Sequence, residues 1–184
     1  MKLSRYLGVA AVCAMGLGLS THAQAAISGC TDCHVNFLAS GPAGMKIEGT
    51  TPDLTVADQG DNILITVPLA NLTTGIGLRD RHMKEKYLEI GKYPSATLTV
   101  ARSALKLPSG ADKVEADAPT TVNIHGKARP VTVHYEVRRD GSALATRGTF
   151  HINIADFGIN VPSYLGVTVK PDIEVGANFR AAGS

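Results

Sequence analysis

Between Pro130 and Arg138 the chain alternates without a break. Val131, Val133, Tyr135 and Val137 fall on one face, and Thr132, His134, Glu136 and Arg138 on the other. Side chains of a strand point to opposite faces with period two, so this pattern fits an extended segment with one face buried and one wet. A helix would scatter the same valines around its whole circumference. The pattern recurs along the chain. Asn62 to Leu69 carries Ile63, Ile65 and Val67 on one face, and Ala96 to Ala101 carries Leu98 and Val100. Ala143 to Ile154, reached through the hairpin signal Asp140-Gly141, carries Phe150, Ile152 and Ile154. Val35 to Leu38, Met45 to Thr50, Asp53 to Ala57 and Thr121 to Ile124 read as shorter strands. Leu165 to Lys170 and Asp172 to Phe179 read as a closing pair, with Pro171 confined to the bend. Short alternating runs between turn signals belong to a sandwich or a barrel. A barrel is favoured, because closure removes the unpaired edges.

One stretch departs from this rhythm. Leu78 to Ile90 is charged and free of Gly and Pro, and reads as a short surface helix ended by Gly91 and Pro94. There is no internal repeat, low-complexity tract or linker, so the expectation is one antiparallel β domain with a single short helix. Aromatic residues are few and tryptophan is absent. The apolar content is mainly Val, Ile, Leu and Ala, which suits strands.

Met1 to Ala25 reads as a secretory signal. Lys2 and Arg5 form a positive start, Leu7 to Leu19 is an apolar stretch too short to span a bilayer, and Ala23-Gln24-Ala25 is a small-residue cleavage site. Cys13 would leave with this segment. The expected organisation is a signal at 1–25, a short segment at 26–34, and the β domain at 35–184. The mature chain would be a soluble periplasmic protein without a membrane span. Removing Lys2 and Arg5 from the 18 basic residues leaves as many cations as the 16 acids. A neutral chain with no basic patch interleaved with aromatics gives no reason to expect a nucleic-acid partner.

Cys30-Thr31-Asp32-Cys33-His34 is a C-x-x-C-H string and holds the only cysteines left after processing. In c-type haem attachment, two such thiols bond the porphyrin vinyl groups and the adjacent imidazole takes the iron. On that reading Cys30 and Cys33 carry haem c and His34 is the axial ligand. A sixth ligand could come from Met45, His82 or Met83, since thioether and imidazole are the usual partners. The competing reading is a disulfide, because an exported chain meets an oxidising compartment. A thioredoxin-type dithiol would need the motif at a helix N-terminus after a strand, and structural zinc would need a fourth ligand; neither is evident nearby.

The other histidines suggest less. His125 sits in a turn, and His134 and His151 fall opposite the apolar faces of their strands. There is no Ser-His-Asp order, G-x-S-x-G or phosphate loop. Asp80 and His82 lie two apart on a helix and do not face each other. No hydrolytic constellation emerges, so a non-enzymatic protein is expected.

Several motifs occur in a fixed order. Leu78-Arg79-Asp80-Arg81-His82-Met83 is followed by Tyr87-Leu88 and Lys92-Tyr93-Pro94-Ser95-Ala96-Thr97. Ile124-His125-Gly126-Lys127-Ala128-Arg129-Pro130-Val131 and Asp156-Phe157-Gly158-Ile159 come next. This series resembles the YceI family over about Val35 to Ala177. The resemblance implies a lipocalin-like antiparallel β-barrel of about eight strands, lined by apolar side chains. It also implies an isoprenoid or other amphipathic lipid as ligand and a periplasmic location; with haem beside the barrel, that lipid would be quinone-like. The inward candidates Ile63, Ile65, Val67, Leu98, Val100, Val133, Tyr135, Phe150 and Ile152 are mostly medium-sized, which leaves room for an elongated ligand. The cysteine pair is not part of the family pattern. The full expectation is therefore a lipid-binding barrel with haem c at its N-terminal edge and a periplasmic redox partner. The alternative is a pure lipid carrier in which Cys30 and Cys33 form only a disulfide.

Overall fold

Period-two alternation is realised as strand along almost the whole chain. A computed structural model describes residues 27–164 and 167–183; the expected signal at 1–25 and the Leu165 end of the expected closing strand lie outside them. The strands are β1 (Ile27–Ser40), β2 (Lys46–Thr51), β3 (Thr55–Gln59), β4 (Asn62–Pro68) and β5 (Ser95–Ala101). They continue with β6 (Lys113–Ile124), β7 (Lys127–Asp140), β8 (Ala143–Asn153), β9 (Ser163–Tyr164), β10 (Val167–Thr168) and β11 (Asp172–Gly183). Nine of these form one antiparallel sheet in the order β2-β1-β11-β8-β7-β6-β5-β4-β3. One short helix, α1 (Gly77–His82), runs on through a π-type turn at Met83–Tyr87.

The sheet curls until its ends approach, giving the lipocalin-like barrel architecture with nine strands rather than about eight. Its ladder stays open, since β2 and β3 are both edges. Two ties hold the seam. At one end Thr50 and Thr73 exchange backbone hydrogen bonds of 2.8 and 2.9 Å. At the other, the Ile27 amide donates to the Asp58 carboxylate at 3.3 Å.

Two strand starts and one pairing differ from the sequence expectation. β1 begins at Ile27, not Val35, so the C-x-x-C-H string lies within the first strand rather than ahead of it. β6 begins at Lys113 rather than Thr121. Its first half buries Ala118 and half-buries Val114 and Ala116, side chains too small to make an obvious apolar alternation among charges. Finally, β10 pairs with β9 in a separate two-stranded ribbon, and β11 instead pairs with β1 and β8.

Two clusters make up the interior. One gathers Ile27, Val35, Leu54, Val56, Ile63, Val100, Val133, Tyr135, Val137 and Leu144. The other gathers Ala39, Val122, Ile152, Phe157, Ile159 and Ile173. Together they set the two ends of the barrel. At the first, the floor, β1 starts, β11 stops and the β3–β4 hairpin turns. At the second, the mouth, the helix and the β6–β7 hairpin lie.

Candidate ligand-binding cavity

The inner face encloses a cavity of about 1000 Å³, at the upper end for small-molecule sites. Along β8 and just past it, Leu144, Thr146, Gly148, Phe150, Ile152 and Ile154 all line it. Those alternate positions span roughly 33 Å of strand, so the cavity is long. Ile63, Ile65, Val67, Leu98, Val100, Val133, Tyr135, Phe150 and Ile152 all line it as well. They do not meet across the barrel to fill it, because none is larger than Tyr or Phe.

A staple holds the floor. The Tyr135 hydroxyl accepts a hydrogen bond from the Lys106 amide at 2.7 Å and donates to the Lys106 carbonyl at 3.1 Å. This draws the segment after β5 across the end of the barrel, where Leu105 and Leu107 join the lining. Beside it the buried Arg102 pairs with Asp58 and donates to the Gly60 carbonyl at 3.2 Å. The Arg102 guanidinium holds the Asp58 carboxyl below its ordinary value against a smaller opposing effect of burial. The sequence marks this only weakly, as an Asp two residues before a hairpin Gly.

At the mouth the motif residues lock onto one another. Asp80 accepts hydrogen bonds from the Thr73 hydroxyl and from both the amide and hydroxyl of Thr74. Burial works to raise the Asp80 carboxyl, but these bonds and the Lys84 charge outweigh it, and the group lies below its ordinary value. Arg79 donates through Nε to the Thr74 hydroxyl at 2.7 Å and through Nη2 to the Thr74 carbonyl at 2.8 Å. His125, at φ 54°, reaches the Glu89 carboxylate through Nε2 at 2.8 Å and the Phe157 carbonyl through Nδ1 at 3.3 Å. Its ring also packs on Tyr93, centroids 4.5 Å apart. His125 therefore bonds other segments across the mouth rather than only its own turn. Met45, Ile76 and Leu78 line the cavity while remaining exposed, which places an opening beside them.

The C-x-x-C-H string is at the floor end. Opposite β11 it carries two extra residues, one between Ser28 and Thr31 and one between Thr31 and His34. Gly29 and Asp32 absorb them at φ 75° and 52°, the left-handed conformation of a bulge. Ser28, Thr31 and His34 pair with Ala182, Arg180 and Asn178. Cys30 and Cys33 both pack against the core and are joined as a disulfide, with Cα atoms 6.1 Å apart. His34 is exposed on the other face. Thiols and imidazole thus point to opposite sides of the sheet. Met45, His82 and Met83 line the mouth instead, and roughly 20 Å of strand separates His34 from Ser40 at that end. None of these three is placed to share an iron with His34.

On the outer face His134 and His151 are exposed. His134 lies between Asp117, 2.8 Å away, and Glu115, 3.2 Å away; the Asp117 contact leads in raising its pKa. Among the described residues, no group of three or more His, Cys, Asp or Glu could hold a metal ion. No helix among them is long and apolar enough to cross a membrane.

The family description "YceI-like domain" matches residues 31–181. No curated protein matches the sequence. Among solved structures, a polyisoprenoid binding domain from Saccharophagus degradans, implicated in plant cell wall breakdown, is 18% identical with a TM-score of 0.71. That match covers 88% of this chain and 99% of the other. Burkholderia cenocepacia BcnA is 19% identical with a TM-score of 0.64, over 82% and 96% of the two chains. The Campylobacter jejuni YCEI protein is 17% identical with a TM-score of 0.56, over 75% and 85%. At these identities the likeness is one of fold.

Proposed function

The chain belongs to the family of YceI-like domains, and from that premise we propose that it is a binding protein that carries an isoprenoid or other long amphipathic lipid inside its barrel. The observation that carries this reading is a long cavity whose wall is almost wholly aliphatic and aromatic. Removing the apolar chain of a lipid from water is favourable in proportion to the area covered. Non-directional packing of this kind selects for length and apolarity. We place the protein in the periplasm, on the strength of the export signal at 1–25 and the family's usual location.

Two measurements test the carrier reading. Native mass spectrometry of protein purified without detergent should show a bound amphiphile, recoverable by solvent extraction. Leu98→Trp, which puts an indole near the middle of the cavity, should lower lipid binding at least tenfold while leaving the far-ultraviolet spectrum unchanged. Wild-type protein that takes up no lipid after delipidation and exposure to isoprenoid alcohols would overturn the reading.

Haem c on Cys30 and Cys33, with electron transfer to a periplasmic partner, stands as a second reading on the C-x-x-C-H string itself. It requires residues 27–34 to leave the ladder with β11, so that His34 and both sulfurs can approach one porphyrin. Expression with its signal beside a cytochrome c maturation system decides it. The disulfide form is colourless, with a mass two hydrogens below the dithiol, whereas the haem form keeps the porphyrin mass after denaturation.

A further inference from the structure

We propose that the lipid is held with an acidic head group at the mouth, a carboxylate or a phosphate, facing Arg79, His82 and Lys86. This rests on the carrier reading and specifies the ligand's polar end. Arg79, His82 and Lys86 are the only basic side chains among the described residues lining the cavity, and no aspartate or glutamate lines it. All three lie on the helical segment at the mouth, at spacings i, i+3 and i+7 that place them on one face.

The acids nearest to them in sequence are mostly committed elsewhere. Asp80 is held by Thr73 and Thr74, and Glu89 bonds His125. Glu85 is exposed and does not line the cavity. Arg79 uses Nε and Nη2 on Thr74, which fixes the guanidinium at the rim and leaves Nη1, bonded to no described residue, to meet a ligand. Lys86 is exposed at the edge of the cavity it lines, with its ammonium 5.5 Å from the Tyr87 ring. Exposed Ile76 and Leu78 flank these cations. A ligand entering tail first would therefore leave its head among cations and its first carbons against apolar side chains. A neutral head would forgo the charge-assisted bonds that Arg and Lys offer to carboxylate and phosphate oxygens.

The test compares matched ligands on delipidated mature protein. Oleate and oleyl alcohol share one tail and differ in the head, and both can be read by displacement of the neutral dye Nile red below their aggregation limits. Oleate is expected to bind about tenfold more tightly than the alcohol at low ionic strength, with the difference shrinking as salt is added. Lys86→Glu should reduce that preference to threefold or less, and Lys86→Arg should keep it. Equal affinity for the two ligands, or a preference unmoved by Lys86→Glu and by salt, overturns the head-group assignment and leaves the carrier intact. Failure of the dye and both ligands to bind overturns the carrier reading itself.

Discussion

Asp80 shows how a motif side chain earns its place without touching a ligand. Its carboxylate gathers the Thr73-Thr74 turn and lets Arg79 brace the same turn from the other side. Because the folded-state pKa is lowered, its stabilising effect is complete above the unfolded-state value of about 3.9 and is lost as pH falls through the lower folded-state value. Asp80→Asn should therefore cost about 1–2 kcal/mol at neutral pH, and thermal melts of variant and wild type should converge in acid. A gap that persists below pH 2 would contradict this account. At this scale the sequence displayed the cavity wall well. All nine inward candidates line it, because alternation identifies a face directly. It displayed the ties poorly. Arg102 with Asp58, Tyr135 with Lys106 and His125 with Glu89 join residues 29 to 44 positions apart, and no local pattern registers such pairs.

Among the elements, β1 carries the most unusual local geometry. In a regular strand two residues three apart point to opposite faces, so Cys30 and Cys33 could not meet. The bulges at Gly29 and Asp32 turn both thiols inward and return Val35 to the inner face. The sequence gives little warning of this, since two intervening residues look the same in a tail, a turn or a doubly bulged strand. Deleting both Gly29 and Asp32 should leave a regular strand with every remaining face preserved. Deleting either one alone should force Ile27 or the core residues after it to the wrong side. Expression and denaturant melts of the three deletions check this, with the double deletion expected to be more stable than either single one. A disulfide closing so short a loop is worth only about 2 kcal/mol in chain-entropy terms. Cys30→Ser with Cys33→Ser should thus shift the urea midpoint modestly while the protein still folds.

For the whole molecule, the barrel's two ends are built differently. The floor is stapled by the Tyr135 hydroxyl beside the Arg102–Asp58 pair. The mouth is framed by separate segments that meet through side chains, with exposed apolar residues at its edge. Fold class and helix position were readable from alternation and motif order. The open seam was not, because whether two edge strands join depends on twist and bulges accumulated around the full circuit. The floor also brings together the first and last described strands, with Ile27 opposite Gly183. Attachment to a bead, a sensor surface or a fused domain through either end of the described chain therefore grips the same end of the barrel. The mouth is left at the far side, pointing away from whatever holds the protein.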